Sequence, residues 1–323
     1  MKNKQLILGL ASAGAMVALI LDGKTALTGG REGVILCLMT VIPSLFPFFL
    51  LSGTLTNALM GASPLLLRPF AALLGIPRGA EALAVSALLG GYPAGAQAVR
   101  QAQGAGYLDK AQAQWLLPVC NQPGPAFLFG MVGLLFPEKW MIWALWAVIL
   151  LSAGLTGMVL PIPQGSAKVW DSPKPAPLAD TLRGSLRAMG AVCGWVVIFR
   201  VVLAFCQRWW LWLLPGEVQV GLTGALELSN GCILLGQVED LRLRFCLAAG
   251  MLSFGGLCVA LQTQSVAQGL FRRYLPGKAL QGLLAVAISL CVAYGIWWLL
   301  AGIFLGFLVL RQKRCRNPRV SGV

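Results

Sequence analysis

The sequence contains no histidine. That removes Ser-His-Asp catalysis, histidine-ligated zinc and a histidine proton relay. Charge is scarce: 11% of the 323 residues are charged, against about 25% in a soluble domain. Acid is scarcer than base, with 11 Asp and Glu against 25 Lys and Arg. The nine cysteines are odd in number and form no CxxC pair. Most of them, Cys37, Cys193, Cys206, Cys232, Cys246, Cys258 and Cys291, lie in apolar runs. A buried free cysteine behaves as a small hydrophobe, so no disulfide framework is expected. No Walker A sequence is present, so any transport is passive or ion-coupled unless another chain supplies energy. With no nucleophile-base pair or metal cluster to build on, the chain does not read as an enzyme, and no cofactor is expected.

What is present is apolar length. Hydrophobic residues make up 58% of the chain. A crossing needs about 20 of them, which allows roughly eight to ten crossings or half-crossings. The expected class is an all-α polytopic membrane protein with the lipid bilayer as its surroundings. The net charge of +14 comes from Lys and Arg in short loops and at the C-terminus, including Arg311, Lys313, Arg314, Arg316 and Arg319. Cytoplasmic-side segments carry such a bias, so nucleic acid is not the expected partner. A basic protein also favours anionic solutes near its mouth.

The chain is organised around residues 89–129. This stretch opens with Leu89-Gly90-Gly91-Tyr92-Pro93-Ala94-Gly95-Ala96 and closes with Pro118-Val119-Cys120-Asn121-Gln122-Pro123-Gly124-Pro125. Gly costs about 1 kcal/mol in a helix interior and Pro about 3. Lipid cannot satisfy the backbone groups that such breaks release. Broken backbone at membrane depth survives where it is buried in protein or lines a polar cavity. Paired breaks point to a transport site near the bilayer midplane.

Around that stretch the organisation reads as follows. Residues 1–23 form a first span, read as uncleaved with the N-terminus inside because Lys2 and Lys4 precede the apolar run; a signal peptide is the alternative. Residues 24–38 read as a moderately polar connector, with an interfacial helix as the other reading. Pro43 and Pro47 either kink the next span or mark a helix start. Residues 80–103 read as a re-entrant hairpin, and the span over 115–136 is broken at 121–125. A Pro-rich polar linker, 161–182, separates a first unit, 24–160, from a second, 183–310, and a basic tail follows at 311–323. The second unit repeats the plan. Its first break is Glu227-Leu228-Ser229-Asn230-Gly231 and its second is Ser253-Phe254-Gly255-Gly256, followed by Gln262-Thr263-Gln264. Two inverted repeats are expected, each with a re-entrant hairpin and a broken helix. The last spans are placed at 280–309, with a break near Gly295.

The breaks supply the candidate chemistry. Gly91, Tyr92, Pro93 and Gly95 at the first tip expose backbone N–H groups, and a half-helix beginning there points its positive end at a carboxylate or other anion. Asn121, Gln122 and Gly124, then Ser229, Asn230, Ser253, Gly255, Gly256 and Gln262, complete the expected binding set. Any one of the amides alone is accounted for by an interhelical hydrogen bond; the group at 121–125 reads as a site. Glu227 and Arg200 are ionisable residues in apolar sequence, functional by default in a membrane. Glu227 is a candidate for a coupling proton and Arg200 for a substrate carboxylate; mutual neutralisation is the other reading. The coupling ion, H+ or Na+, is left open. A homo-oligomer is compatible with the sequence.

Four motifs in order carry a resemblance: Pro43-Ser44-Leu45-Phe46-Pro47-Phe48, Gly91-Tyr92-Pro93-Ala94-Gly95-Ala96, Asn121-Gln122-Pro123-Gly124-Pro125-Ala126-Phe127 and Ser253-Phe254-Gly255-Gly256-Leu257-Cys258. Over residues 24–309 the chain resembles YlbJ-type sporulation integral membrane proteins, of the nucleoside-recognition (Gate) domain group. The resemblance implies a bacterial inner-membrane protein, in the mother-cell-derived membrane around the forespore. It implies a fold similar to concentrative nucleoside transporters and export of dipicolinate, a small aromatic dicarboxylate. True nucleoside transporters carry an acid on the first hairpin tip, where this chain has Gly-Tyr-Pro-Ala-Gly. The expected function is therefore secondary or facilitated transport of a small organic anion. A non-transporting structural or assembly role in sporulation and nucleoside transport are the alternatives.

Overall fold

The structure, a computed structural model, describes residues 2–60, 62, 64–74, 76, 79–160, 177–302 and 305–306. Residues 161–176 of the expected linker and the whole basic tail lie outside them. Among the described residues all regular structure is helical. Five helical stretches are long and apolar enough to cross a membrane: Gly23–Leu59, Lys139–Val159, Leu178–Trp209, Leu241–Val266 and Phe271–Ala293. The chain is a helical membrane protein on that composition and length. The eight cysteines of the described residues are free.

The N-terminal segment is helix α1 (Lys2–Leu21), α2 (Gly23–Leu36) and α3 (Ile42–Leu59), the last two joined by a π-helical turn at Cys37–Val41. The expected polar connector at 24–38 is thus a helix continuous with the next span. Its charged residues did not stop it because Asp22 caps its start, accepting from the Thr25 N–H at 3.3 Å. Pro43 lies in the first turn of α3 and Pro47 inside it. Neither has an N–H to donate, and the widened turn just before Pro43 absorbs the ring that would otherwise meet a preceding carbonyl. Helix α2 packs on α10 (Leu178–Trp209) through glycines one turn apart. A Cβ at Gly33 would stand 2.8 Å from the Val197 Cα, and one at Gly29 would stand 3.0 Å from the Val201 Cα. This is the small-residue packing that lets two membrane helices approach backbone to backbone. Helix α10 begins at Leu178, so the last residues assigned to the linker are helical.

The first broken region follows. After α4 (Arg68–Leu74), the hairpin consists of α5 (Leu83–Val85), a π-helical turn at Ser86–Gly90, the tip, and α6 (Ala94–Gly104). Helix α7 (Lys110–Cys120) starts on a capping box between Asp109 and Gln112. The connection between α6 and α7 is therefore only five residues long, 105–109. Helix α7 ends at the expected break, and α8 (Pro125–Gly130) resumes beyond it. Helix α9 (Lys139–Val159) crosses alongside, with Trp140 and Trp143 exposed at its start as interface anchors.

The second half holds α11 (Gly216–Leu226), α12 (Leu228–Leu235), α13 (Leu241–Phe254), α14 (Gly256–Val266) and α15 (Tyr274–Ala293). Two expectations need correction here. The first break is the single residue Glu227, with Ser229, Asn230 and Gly231 already helical. The second is Gly255, left-handed at φ +85°, while Ser253 is still helical. The last span starts at Tyr274 rather than 280. Pro276 stands in its first turn, where the missing N–H has no intrahelical partner to lose. The chain leaves α15 through Gly295 at φ +67°, close to the expected break.

Candidate functional site

The first tip and the first broken helix meet backbone to backbone. The carbonyl of Cys120 occupies the place of a Gly95 side chain: a Cβ there would lie 2.0 Å from it. Gly91, at φ +73°, faces Gly124, whose Cβ would fall 2.9 Å from the Gly91 Cα. Tyr92 follows, joined to Pro93 by a cis peptide bond. Its ring crosses to the second half, and its hydroxyl donates to the Leu252 carbonyl at 2.7 Å. A Gly255 side chain would stand 3.2 Å from that ring. Glycine at these tips is required by contact, not only by flexibility.

Pro123 explains the role of Gln122. Within a helix, the N–H of residue 123 would bond the Val119 carbonyl, and proline has no N–H. The Gln122 Nε2 takes over, donating to Val119 O and Pro118 O, both at 2.9 Å. That fixes the Gln122 Oε1 on the other side. There it accepts from Gln281 Nε2 at 2.7 Å and from the Lys278 ammonium at 3.4 Å. Gln281 is oriented in turn by Ile149 O and Ser152 Oγ, at 3.4 and 3.5 Å, and presents its Oε1 to Lys278 at 2.8 Å. The Asn121 carbonyl, freed by the break, is the third acceptor, at 3.2 Å. The Tyr92 ring covers the ammonium at 5.2 Å.

Asn121 ties the site to its surroundings. Its Oδ1 accepts from the Ala96 N–H at 3.3 Å, one of the N–H groups left over at the start of α6. Its Nδ2 donates to Thr263 Oγ1 at 2.8 Å and Tyr274 Oη at 2.9 Å. The half-helix start that sequence reasoning offered to an anion is thus occupied, at Ala96, by an amide. Ser253 stands at the edge of the cluster, 3.4 Å from Ser152 between hydroxyls.

Lys278 is the residue that matters most. It is 0% exposed, as are Asn121 and Gln281, and Gln122 is 1% exposed. Three ion pairs occur among the described residues, Arg183–Asp180, Arg200–Glu32 and Arg208–Asp22, and Lys278 is in none. Its three acceptors match the three donors of an ammonium, yet all are neutral. Burying an ion costs several kcal/mol, and neutral dipoles recover only part of it. A cation–π contact adds about 2 kcal/mol when desolvated. Among the described residues, its amine has no negative partner.

The other predicted residues gather elsewhere. Glu227 is buried and caps α12, accepting from Ser229 N–H at 3.1 Å, Asn230 N–H at 2.8 Å and Asn230 Nδ2 at 2.6 Å. The Asn230 Oδ1 accepts from Arg200, which also donates to Glu32 at 2.7 Å. Arg200 and Glu227 therefore sit in one chain, bridged by Asn230 and completed by Glu32. Gly231 packs on Gly224, and Gly256 fits under the Gly224 carbonyl; Cβ atoms there would stand 2.3 Å from the Gly224 Cα and 2.8 Å from that oxygen. Gln262 joins neither cluster and donates to Cys258 Sγ at 3.2 Å.

Sequence reasoning missed Lys278, Gln281, Tyr274, Ser152 and Glu32. The signal for Lys278 was weak: it follows Arg272 and Arg273 by a few residues and stands just before the last spans placed at 280–309. In the fold, Gly277 is where Pro118 packs, 2.8 Å from a would-be Cβ. Residues 274, 278 and 281 then fall on one face of α15 toward the break. Among the described residues, no group of three or more His, Cys, Asp or Glu side chains is placed to hold a metal ion. The chain matches no family model, and no curated protein or solved structure matches it either.

Proposed function

We propose that this protein is a membrane transporter, secondary or facilitative, for a small organic anion. One observation carries the reading: a fully buried lysine, Lys278, faces the broken helix at 121–124 and its amine bonds only neutral acceptors among the described residues. An intramembrane ion marks a substrate or ion path by default. A carboxylate arriving at Lys278 supplies the missing charge and a charge-assisted hydrogen bond. Access requires the first tip to part from the second half, and the Tyr92–Leu252 hydrogen bond is the contact to be broken. The two halves each pair a hairpin with a broken helix through glycine contacts, which supports the inverted-repeat reading and alternating access about a central site. Dipicolinate, the cargo implied by the resemblance to YlbJ-type proteins, is the first substrate to try, and the membrane around the forespore is the proposed location.

The test is uptake of labelled dipicolinate into proteoliposomes, with uridine in parallel. Wild-type protein takes up dipicolinate saturably, and Lys278→Met abolishes uptake at equal reconstitution. Uridine flux in place of anion flux returns the reading to nucleoside transport. Folded protein that moves neither solute supports the structural role. Anion flux indifferent to Lys278→Met sinks the site assignment.

A further inference from the structure

The charges at the site can be counted, and the count limits the cargo. We infer that the site accepts a carboxylate carrying a single negative charge, so a dicarboxylate enters only with one carboxyl protonated. This inference rests on the anion-transporter reading above.

Lys278 offers one positive charge at most, the one it carries when protonated beside an anion. Every other group it touches is neutral: the Asn121 carbonyl, the Gln122 and Gln281 amides, and the Tyr92 ring. Among the described residues no charged side chain bonds to Lys278, and the turn Phe271–Arg273, which packs on α15 and α7, carries Arg272 and Arg273. Helix α7 and its break bring Pro118, Val119, Asn121 and Gln122; α9 brings Ile149 and Ser152; α13 brings Leu252 and Ser253. The titratable side chains nearby are Tyr92, over the ammonium, and Tyr274, one turn before Lys278 and bonded to Asn121 and Thr263. The other charged cluster offers no second cation. Its arginine, Arg200, is held by Glu32 and by Asn230, which is itself bonded to Glu227.

One carboxylate therefore balances the site. A second would be buried with no cation, at a cost of several kcal/mol. A neutral carboxyl in the same place meets groups suited to it. Its O–H donor finds amide and hydroxyl oxygens at Gln122, Gln281, Ser152 and Ser253, and its carbonyl finds their donors.

The experiment is equilibrium binding to the full-length protein in nanodiscs, with ligand pairs that differ by one carboxylate: acetate against malonate, and benzoate against isophthalate. Benzamide is the uncharged control. At about pH 7.5 both carboxyls are ionised, and the monocarboxylate of each pair binds at least about tenfold more tightly than its dicarboxylate. The gap narrows toward about pH 5.5, as the singly protonated dicarboxylate becomes more abundant. Benzamide does not bind, and Lys278→Met removes binding of the monocarboxylates. Dicarboxylate binding equal to or tighter than monocarboxylate binding at the higher pH, lost in Lys278→Met, overturns the single-charge inference and leaves the anion site standing. Absence of anion binding, or binding insensitive to Lys278→Met, overturns both. The ligand comparison is made on the wild-type chain and does not depend on the variant folding.

Discussion

Two buried charges in this molecule are treated in opposite ways. Glu227 accepts two backbone N–H groups at the start of α12 and the Asn230 amide. Asn230 passes the contact to Arg200, and Arg200 to Glu32. Lys278 has three neutral acceptors and an aromatic face, and no ion pair. Both charges pay for leaving water. The first recovers the cost inside the fold, through a helix end and a nearby guanidinium, so its role is complete without a ligand. The second has no charged partner among the described residues, so a protonated Lys278 would gain from an anion beside it. Sequence position favoured the first: Glu227 is a lone charge in apolar sequence, whereas Lys278 follows Arg272 and Arg273 ahead of the expected last span.

The contrast predicts opposite stability effects. Glu227→Ala removes the cap and leaves the Ser229 and Asn230 N–H groups and the Asn230 amide without their acceptor. The expected loss is about 2–5 kcal/mol, a lost cap plus stranded buried donors. It is read as a fall in the thermal midpoint of the purified protein. Lys278→Met removes an uncompensated ion and keeps the Gln122–Gln281 bond. Its midpoint is expected to stay level or rise while anion binding disappears, the pattern of a site whose function costs stability. A Lys278→Met protein that melts as early as Glu227→Ala breaks the contrast and makes Lys278 structural. Asn121→Ala lies between them. It strands the Ala96 N–H, Thr263 and Tyr274, for an expected loss of about 1–3 kcal/mol on the same assay.

The sequence was most legible where residue type alone dictates backbone. Pro123 and Pro125 end one helix and start another, and the break lies at the expected residues. The left-handed Gly255 and the tip at Gly91 were readable for the same reason. It was least legible where a polar residue helps a helix instead of stopping one. Glu227 looked like the start of a five-residue interruption, but a carboxylate satisfies the N–H groups that open α12, so the helix resumes at once. Lys24, Arg31 and Glu32 made residues 24–38 look like a connector, yet Gly29 and Gly33 seat that stretch on α10 as a helix. Half of the candidate site was found because its residues lie in the break. The other half lies on α15, 150 residues away in sequence, and comes to the break only through tertiary packing.

The finest distinction concerns Tyr92, whose ring serves one charge and whose hydroxyl closes the site. The Leu252 carbonyl lies in the last turn of α13, where Gly255 turns the chain aside and the usual i+4 donor is lost. The Tyr92 hydroxyl replaces that donor. Tyr92→Phe keeps the ring over Lys278 and removes only the latch. One hydrogen bond is worth about 1 kcal/mol, roughly fivefold in the balance between closed and parted states. Anion binding needs the parted state, so its apparent affinity scales with that population. Tyr92→Phe is therefore expected to bind benzoate up to about fivefold more tightly than wild type, with Lys278 still required. Weaker binding instead would mean that the hydroxyl contacts the anion directly, and Tyr92 would then belong to the binding set and not to the closure.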